Sequence, residues 1–183
     1  TIPWEAVMDF AFTKRTGRNT KKREEIDDEL IRIEKLFTKE FENGIRDGHI
    51  KDPFTEQSFR NMDNTNHTIA GYKPILLAEI TEKTPIHQRL IIFSRTQLKD
   101  PKINEIKKII TEIKAKQDFQ YTWIGLMSGS GFSWEVLEYN SRFNERGIGF
   151  GLVDAVTKKL YVNKETNEGK KLNQMFLSEC ITS

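Results

Sequence analysis

Apolar positions return at helical intervals along residues 20–43. Ile26, Leu30, Ile33, Phe37 and Phe41 are four, three, four and four apart, one stripe of a long amphipathic helix. Glu24, Glu25, Asp27 and Asp28 fall in its opening turns, where acids suit the helix dipole, and Asn43-Gly44 is the expected stop. Before it, residues 1–19 predict a short helix carrying Trp4 and Phe12 and then a basic turn. Residues 44–68 carry no clear period. A short helix is expected around residues 54–62, and Asp63-Asn64-Thr65-Asn66 forms a polar turn cluster.

From residue 69 the pattern shortens. Ile75 to Ile80 and Leu90 to Phe93 are brief apolar runs that predict the two strands of an antiparallel hairpin. Asp100-Pro101 opens a helix through about residue 116, with Ile103, Ile106, Ile110 and Ile113 on its apolar face. A strand over 119–127, the turn Ser128-Gly129-Ser130-Gly131, a helix over 132–146 capped by Ser133 and stopped by Gly147, and a buried strand over 148–153 follow. A short strand at 160–162 and a terminal helix over 166–178 complete the reading. The expected fold is α/β: a mixed central sheet joining an antiparallel hairpin to parallel β-α-β strands, with helices on both faces. The 183 residues are read as a single domain, with a helical part at 1–45 and a sheet core at 70–163.

Composition refines this picture little. Twenty-nine basic and 27 acidic residues leave a net charge of +2, which neither demands nor excludes nucleic acid. No apolar run is long enough to span a membrane and no signal-peptide pattern is present, so no membrane partner is expected. Cys180 is the sole cysteine, which rules out an internal disulfide or a Cys-based zinc site and points to a reducing, cytoplasmic setting.

The segment Trp123-Ile124-Gly125-Leu126-Met127-Ser128-Gly129-Ser130-Gly131-Phe132-Ser133, leading to Gly147-Ile148-Gly149-Phe150-Gly151-Leu152-Val153-Asp154, resembles the Mrr-like branch of the restriction-endonuclease-like (PD-(D/E)xK) fold. Such domains carry a similar strand, a small-residue turn ending in Gly-Phe-Ser/Thr, a helix, and a last strand that opens on Gly-Ile and ends in Asp. The likeness covers about residues 70–155 and implies a nuclease chemistry: an Asp on one hairpin strand and Glu-x-Lys on the next, holding Mg²⁺ and positioning the attacking water. In the best placement Leu76 stands at the Asp position, and Ile92 and Ser94 stand at the Glu and Lys positions. Shifting the frame to Phe93 and Arg95 supplies no carboxylate. An alternative takes Asp63 and Glu79 as a relocated acid pair without the lysine. Glu112-Ile113-Lys114 matches Glu-x-Lys only by letter, because it lies within a helical pattern. Glu29 and Glu40 on the long helix are compared with the helix glutamate that some members add, and solvated flank charges explain them better.

The resemblance therefore implies a nuclease-like domain without metal-dependent cleavage and with no cofactor, in a nucleic-acid-binding or scaffolding role. DNA or RNA is the expected partner, and a protein partner or homodimer is compatible. Phosphate contacts are expected at Arg95, Lys99, Lys102, Lys107 and Lys108. One alternative is an active endonuclease using Asp63, Glu79 and Mg²⁺. Another is a ligand- or protein-interaction module built on Ser128, Gly129, Ser130 and Gly131, whose backbone N–H groups could face an anion, although an ordinary strand-to-helix turn explains that segment better. Gly147, Gly149 and Gly151 are read as sites of close helix packing, and His49, His67 and His87 as scattered loop residues.

Overall fold

The apolar stripe of the first helix becomes the lid of one face of a sheet. The computed structural model describes residues 20–63, 65–80, 86–95, 98 and 103–177, without the side chains of 20–27 and 177. The expected short helix within 1–19, the hairpin turn at 81–85, the helix opening at Asp100-Pro101 and Cys180 lie outside the described residues.

Helix α1 spans Thr20–Arg46. It runs past the expected stop at Asn43-Gly44, because Ile45 belongs to the buried stripe with Phe37 and Phe41. The chain turns later: the carbonyl of Gly44 accepts from the N–H groups of His49 (2.8 Å) and Ile50 (3.1 Å). The helix expected around residues 54–62 is absent. Buried Asp52 instead accepts from the N–H groups of Phe54 and Thr55, both at 2.9 Å, and holds a tight turn. Phe59 then enters the core and the next two residues form strand β1, Arg60–Asn61. A carboxylate that binds its own following amides competes with helix formation, which explains the difference.

Strands β2 (Leu76–Ile80) and β3 (Gln88–Ser94) form the expected antiparallel pair, with Leu76 opposite Ile92 and Glu79 opposite Arg89. After helix α2 (Ile103–Lys116), strand β4 (Tyr121–Ser128) lies parallel to β3. Helix α3 (Trp134–Ser141) leads to β5 (Ile148–Asp154), parallel to β4. Strand β6 (Lys159–Val162) returns antiparallel, and helix α4 (Asn167–Leu177) follows. The six strands stand in chain order in one mixed sheet, so β1 and β2–β3 form a three-strand meander where a hairpin alone was expected. Helix α3 is shorter than the expected 132–146. Ser133 caps it by accepting from the Val136 N–H at 3.4 Å, but the chain leaves the helix at Arg142 so that Phe143 can be buried.

Strands covered on both faces need nearly continuous apolar sequence, and β3, β4 and β5 supply it. One face carries Leu76, Leu90, Ile92, Trp123 and Val153 against Phe37 and Phe41 of α1 and Leu172 and Phe176 of α4. The other carries Ile91, Phe93, Ile124, Phe150 and Leu152 against the isoleucines of α2 and Val136 of α3. Each large side chain taken fully from water stabilises the fold by roughly 1.5–3 kcal/mol before entropy is counted. Among the described residues Trp123 has the largest fully buried side chain, and its indole N–H donates to Gln88 Oε1 at 2.9 Å.

Its ring lies over Gly149 on the next strand. A Cβ at Gly149 would stand 2.5 Å from the Trp123 ring and 3.4 Å from the Glu168 carbonyl oxygen at the start of α4. The close packing expected at this glycine is therefore against an indole from one side and a helix end from the other. Gly149→Ala is expected to lower stability by about 1–3 kcal/mol through overpacking, read as an earlier urea midpoint. An unchanged midpoint would show that the ring relaxes away at no cost.

Candidate functional site

The parallel strands β3 and β4 end side by side, and α1 passes over those ends. Ser94 closes β3 and Ser128 closes β4, both buried. Glu34 lies on the inward side of α1, 4% exposed. Its Oε2 accepts from the Ser94 hydroxyl, and its Oε1 accepts from the Gly129 N–H at 3.3 Å. One turn on, buried Thr38 donates to the Glu34 carbonyl at 2.7 Å. A carboxylate drawn out of water is held here by donors from two strand ends. Gly129 must be small for this approach, since a Cβ there would come within 3.2 Å of both the Leu30 side chain and its carbonyl oxygen.

Ser94 is the position assigned to lysine by the resemblance, and its neighbours on this face, Leu76 and Ile92, are the assigned acids. Leu76 and Ile92 pair across β2 and β3 and are buried among hydrocarbon. Glu29 and Glu40 do not reach this region: Glu29 bonds Arg32 on the surface and Glu40 pairs with Lys158 at 3.5 Å. Among the described side chains of α1, Glu34 is the glutamate that turns inward. Its signal in the sequence is its place on the apolar stripe, four residues after Leu30 and three before Phe37.

Arg95 and the Ser128–Gly131 turn, separate candidates in the sequence, come together. The Arg95 N–H continues the ladder to the Met127 carbonyl at 2.8 Å, and its guanidinium donates to Ser130 Oγ. Ser128 Oγ donates to the Gly131 carbonyl at 2.8 Å and accepts from the Ser130 N–H at 3.0 Å. With the Gly129 N–H bound to Glu34, two amides that an anion cradle would use are engaged within the protein. Asp154, at the end of β5, accepts from the N–H groups of Val156 (2.9 Å) and Thr157 (3.1 Å). A cleft of about 510 Å³ opens between α1 and the approach to β2, with Glu34, Thr38 and Ser94 in its wall and exposed Lys35, Lys39 and Lys73 around it.

The other sequence candidates lie elsewhere. Asp63 is exposed and accepts from the Thr65 hydroxyl and from its N–H at 2.9 Å. Those two bonds hold its carboxyl below the usual range. Glu79 is half-buried on β2, on the face opposite Leu76. Asn61 pairs with Ala78, so a continued ladder places Asp63 level with Leu76, three positions or about 10 Å from Glu79. Among the described residues, no three His, Cys, Asp or Glu side chains gather as a metal ion would require. Glu112 lies within α2, where it accepts from the Ala70 N–H and pairs with Lys116 at 3.4 Å. Lys107 and Lys108 are exposed on α2, across the sheet from α1, with the Lys107 ammonium 5.9 Å from the Tyr139 ring centroid. Lys99 and Lys102 lie outside the described residues. No described helix is long and apolar enough to cross a membrane.

Comparison of the chain with family models, curated proteins and solved structures found no match.

Glu34→Ala leaves the Ser94 hydroxyl and the Gly129 N–H without this acceptor and is expected to cost about 1–3 kcal/mol in urea unfolding. Glu34→Gln keeps an acceptor oxygen and should cost less. Equal losses for the two would mean that packing, not hydrogen bonding, holds α1 here.

Proposed function

We propose that the chain is a nuclease-like domain that binds nucleic acid and has no metal-dependent cleavage. The observation that supports the absence of cleavage is hydrocarbon, at Leu76 and Ile92, where the resemblance expects acids. Leu76 and Ile92 offer no oxygen to a hard cation, and the one buried carboxylate beside them, Glu34, accepts from Ser94 and Gly129. Cleavage through a bound Mg²⁺ needs several oxygen ligands around one point. Binding a phosphodiester needs only cations and amide or hydroxyl donors. Lys35, Lys39 and Lys73 around the adjoining cleft, and Arg95 beside the Ser128–Gly131 turn, supply that chemistry. The strand order and the small-residue turn support the nuclease-like part of the reading.

Fluorescence anisotropy with labelled single-stranded and duplex oligonucleotides at about 50 and about 200 mM salt tests it. Binding is expected at the lower salt and should weaken steeply at the higher. Arg95→Ala and the exposed Lys39→Glu should each weaken it about tenfold. The oligonucleotides should remain intact with Mg²⁺ or Mn²⁺. An absence of binding at low salt sinks the proposal, and metal-dependent cutting would restore the active-nuclease alternative.

A further inference from the structure

The opposite ends of the parallel strands frame a second cleft. It measures about 580 Å³ and lies where β3, β4 and β5 begin, beneath the C-terminal end of α2. A volume of that order suits a small organic ligand. Its central charged group is Arg89, the second residue of β3, with its guanidinium carbon 4.7 Å from the centroid of the Phe119 ring.

Arg89 has an unusual setting for an arginine. Its Nε is buried and has no hydrogen-bond partner. Glu79, Glu112 and Asp118 are close enough to favour its charge, yet none of them forms an ion pair with it among the described residues. Burial is the larger influence and pulls its pKa below the ordinary value. A partly buried guanidinium keeps its planar fork of donors and its charge, so it suits an anion with two or more acceptor oxygens. The Phe119 ring lies beneath the guanidinium as a cation–π partner.

The cleft wall adds further recognition. Arg146 is exposed at its edge, and Lys114 contributes an ammonium that also pairs with Glu145 at 2.9 Å. Two arginines and a lysine suit a phosphoryl dianion. Asp118 and Gln117 also line the cleft. The Asp118 carboxylate and the Gln117 amide oxygen accept hydrogen bonds from hydroxyl groups, and Asp118 repels an anion that comes close to it. One ligand class satisfies both sets: a phosphoryl group carried on a hydroxylated sugar.

We infer that this cleft binds a phosphorylated sugar or nucleoside monophosphate, with the phosphoryl group on Arg89 and Arg146 and the sugar hydroxyls toward Asp118 and Gln117. The site is separate from the one proposed for nucleic-acid binding. Arg89 and Arg95 are six residues apart on the same strand path, about 20 Å.

Isothermal titration of the whole chain with inorganic phosphate, adenosine, adenosine 5′-monophosphate and ribose 5-phosphate tests the inference. A short oligonucleotide with and without a 5′-phosphate distinguishes a free ligand from a nucleic-acid end as the source of the same group. The phosphorylated sugars should bind and adenosine should not. Arg89→Met keeps an apolar stem over Phe119 and should abolish binding. Arg146→Ala, at an exposed position, should weaken it about tenfold and serves alone if Arg89→Met fails to fold. Tighter binding of the 5′-phosphorylated oligonucleotide than of its 5′-hydroxyl form in wild type, lost in Arg89→Met, would support the site with a nucleic-acid end as the source. No binding of any phosphorylated probe, or equal binding by the wild type and both cleft variants, overturns it.

Discussion

A buried carboxylate on α1 sets the relation between the long helix and the sheet. Apolar packing by Ile33, Phe37 and Phe41 pulls α1 onto the face but is non-directional, and alone would tolerate sliding or rolling. Glu34 is directional. It accepts from a side chain at the end of β3 and from a backbone amide just past the end of β4. Those two points can be met together only at one height and one rotation of the helix. Leu30 then fits over Gly129, and Thr38 comes to 4.0 Å from the Met127 sulfur. Losing the acceptor leaves stranded donors, so the geometry is enforced more by the cost of alternatives than by the strength of the bonds.

Much of the sheet is legible in the sequence because its central strands are buried on both sides. Runs such as Leu90 to Phe93 and Ile148 to Val153 have few physical homes other than a covered sheet, and helices between them make parallel neighbours. Local competition hides the rest. Asp52 diverts a segment expected to be a short helix into a turn, and Phe143 ends α3 early because burial of its ring outweighs another helical turn. The site is less legible than the fold. Arg95 and Ser130 stand 35 residues apart and meet only through the β3–β4 register. Glu34 was visible as an acid on an apolar stripe, but helix glutamates are ordinarily solvated and the pattern does not name its partners.

Strand β3 has different chemistry at each end and none in its middle. Leu90 to Phe93 are buried hydrocarbon, while Arg89 and Arg95 bracket them. The middle supplies stiffness and fixes the separation of the two cations. In a parallel arrangement the loops after the strands and the loops before them open on opposite ends of the sheet, so the two clefts share one rigid floor without sharing lining residues.

The sheet's margins carry a consequence for how this chain can associate. Among the described residues the outermost strands are β1, two residues long, and β6, which opens on Lys159. Lys159 lies over the Tyr161 ring, 4.8 Å from its centroid, and places a cation along that margin. So short a strand at one side and a charged one at the other make poor templates for adding strands from another chain. Crowded copies are thereby kept from zipping into a continuous ribbon, even though the strands between those margins are among the most adhesive sequences in the chain.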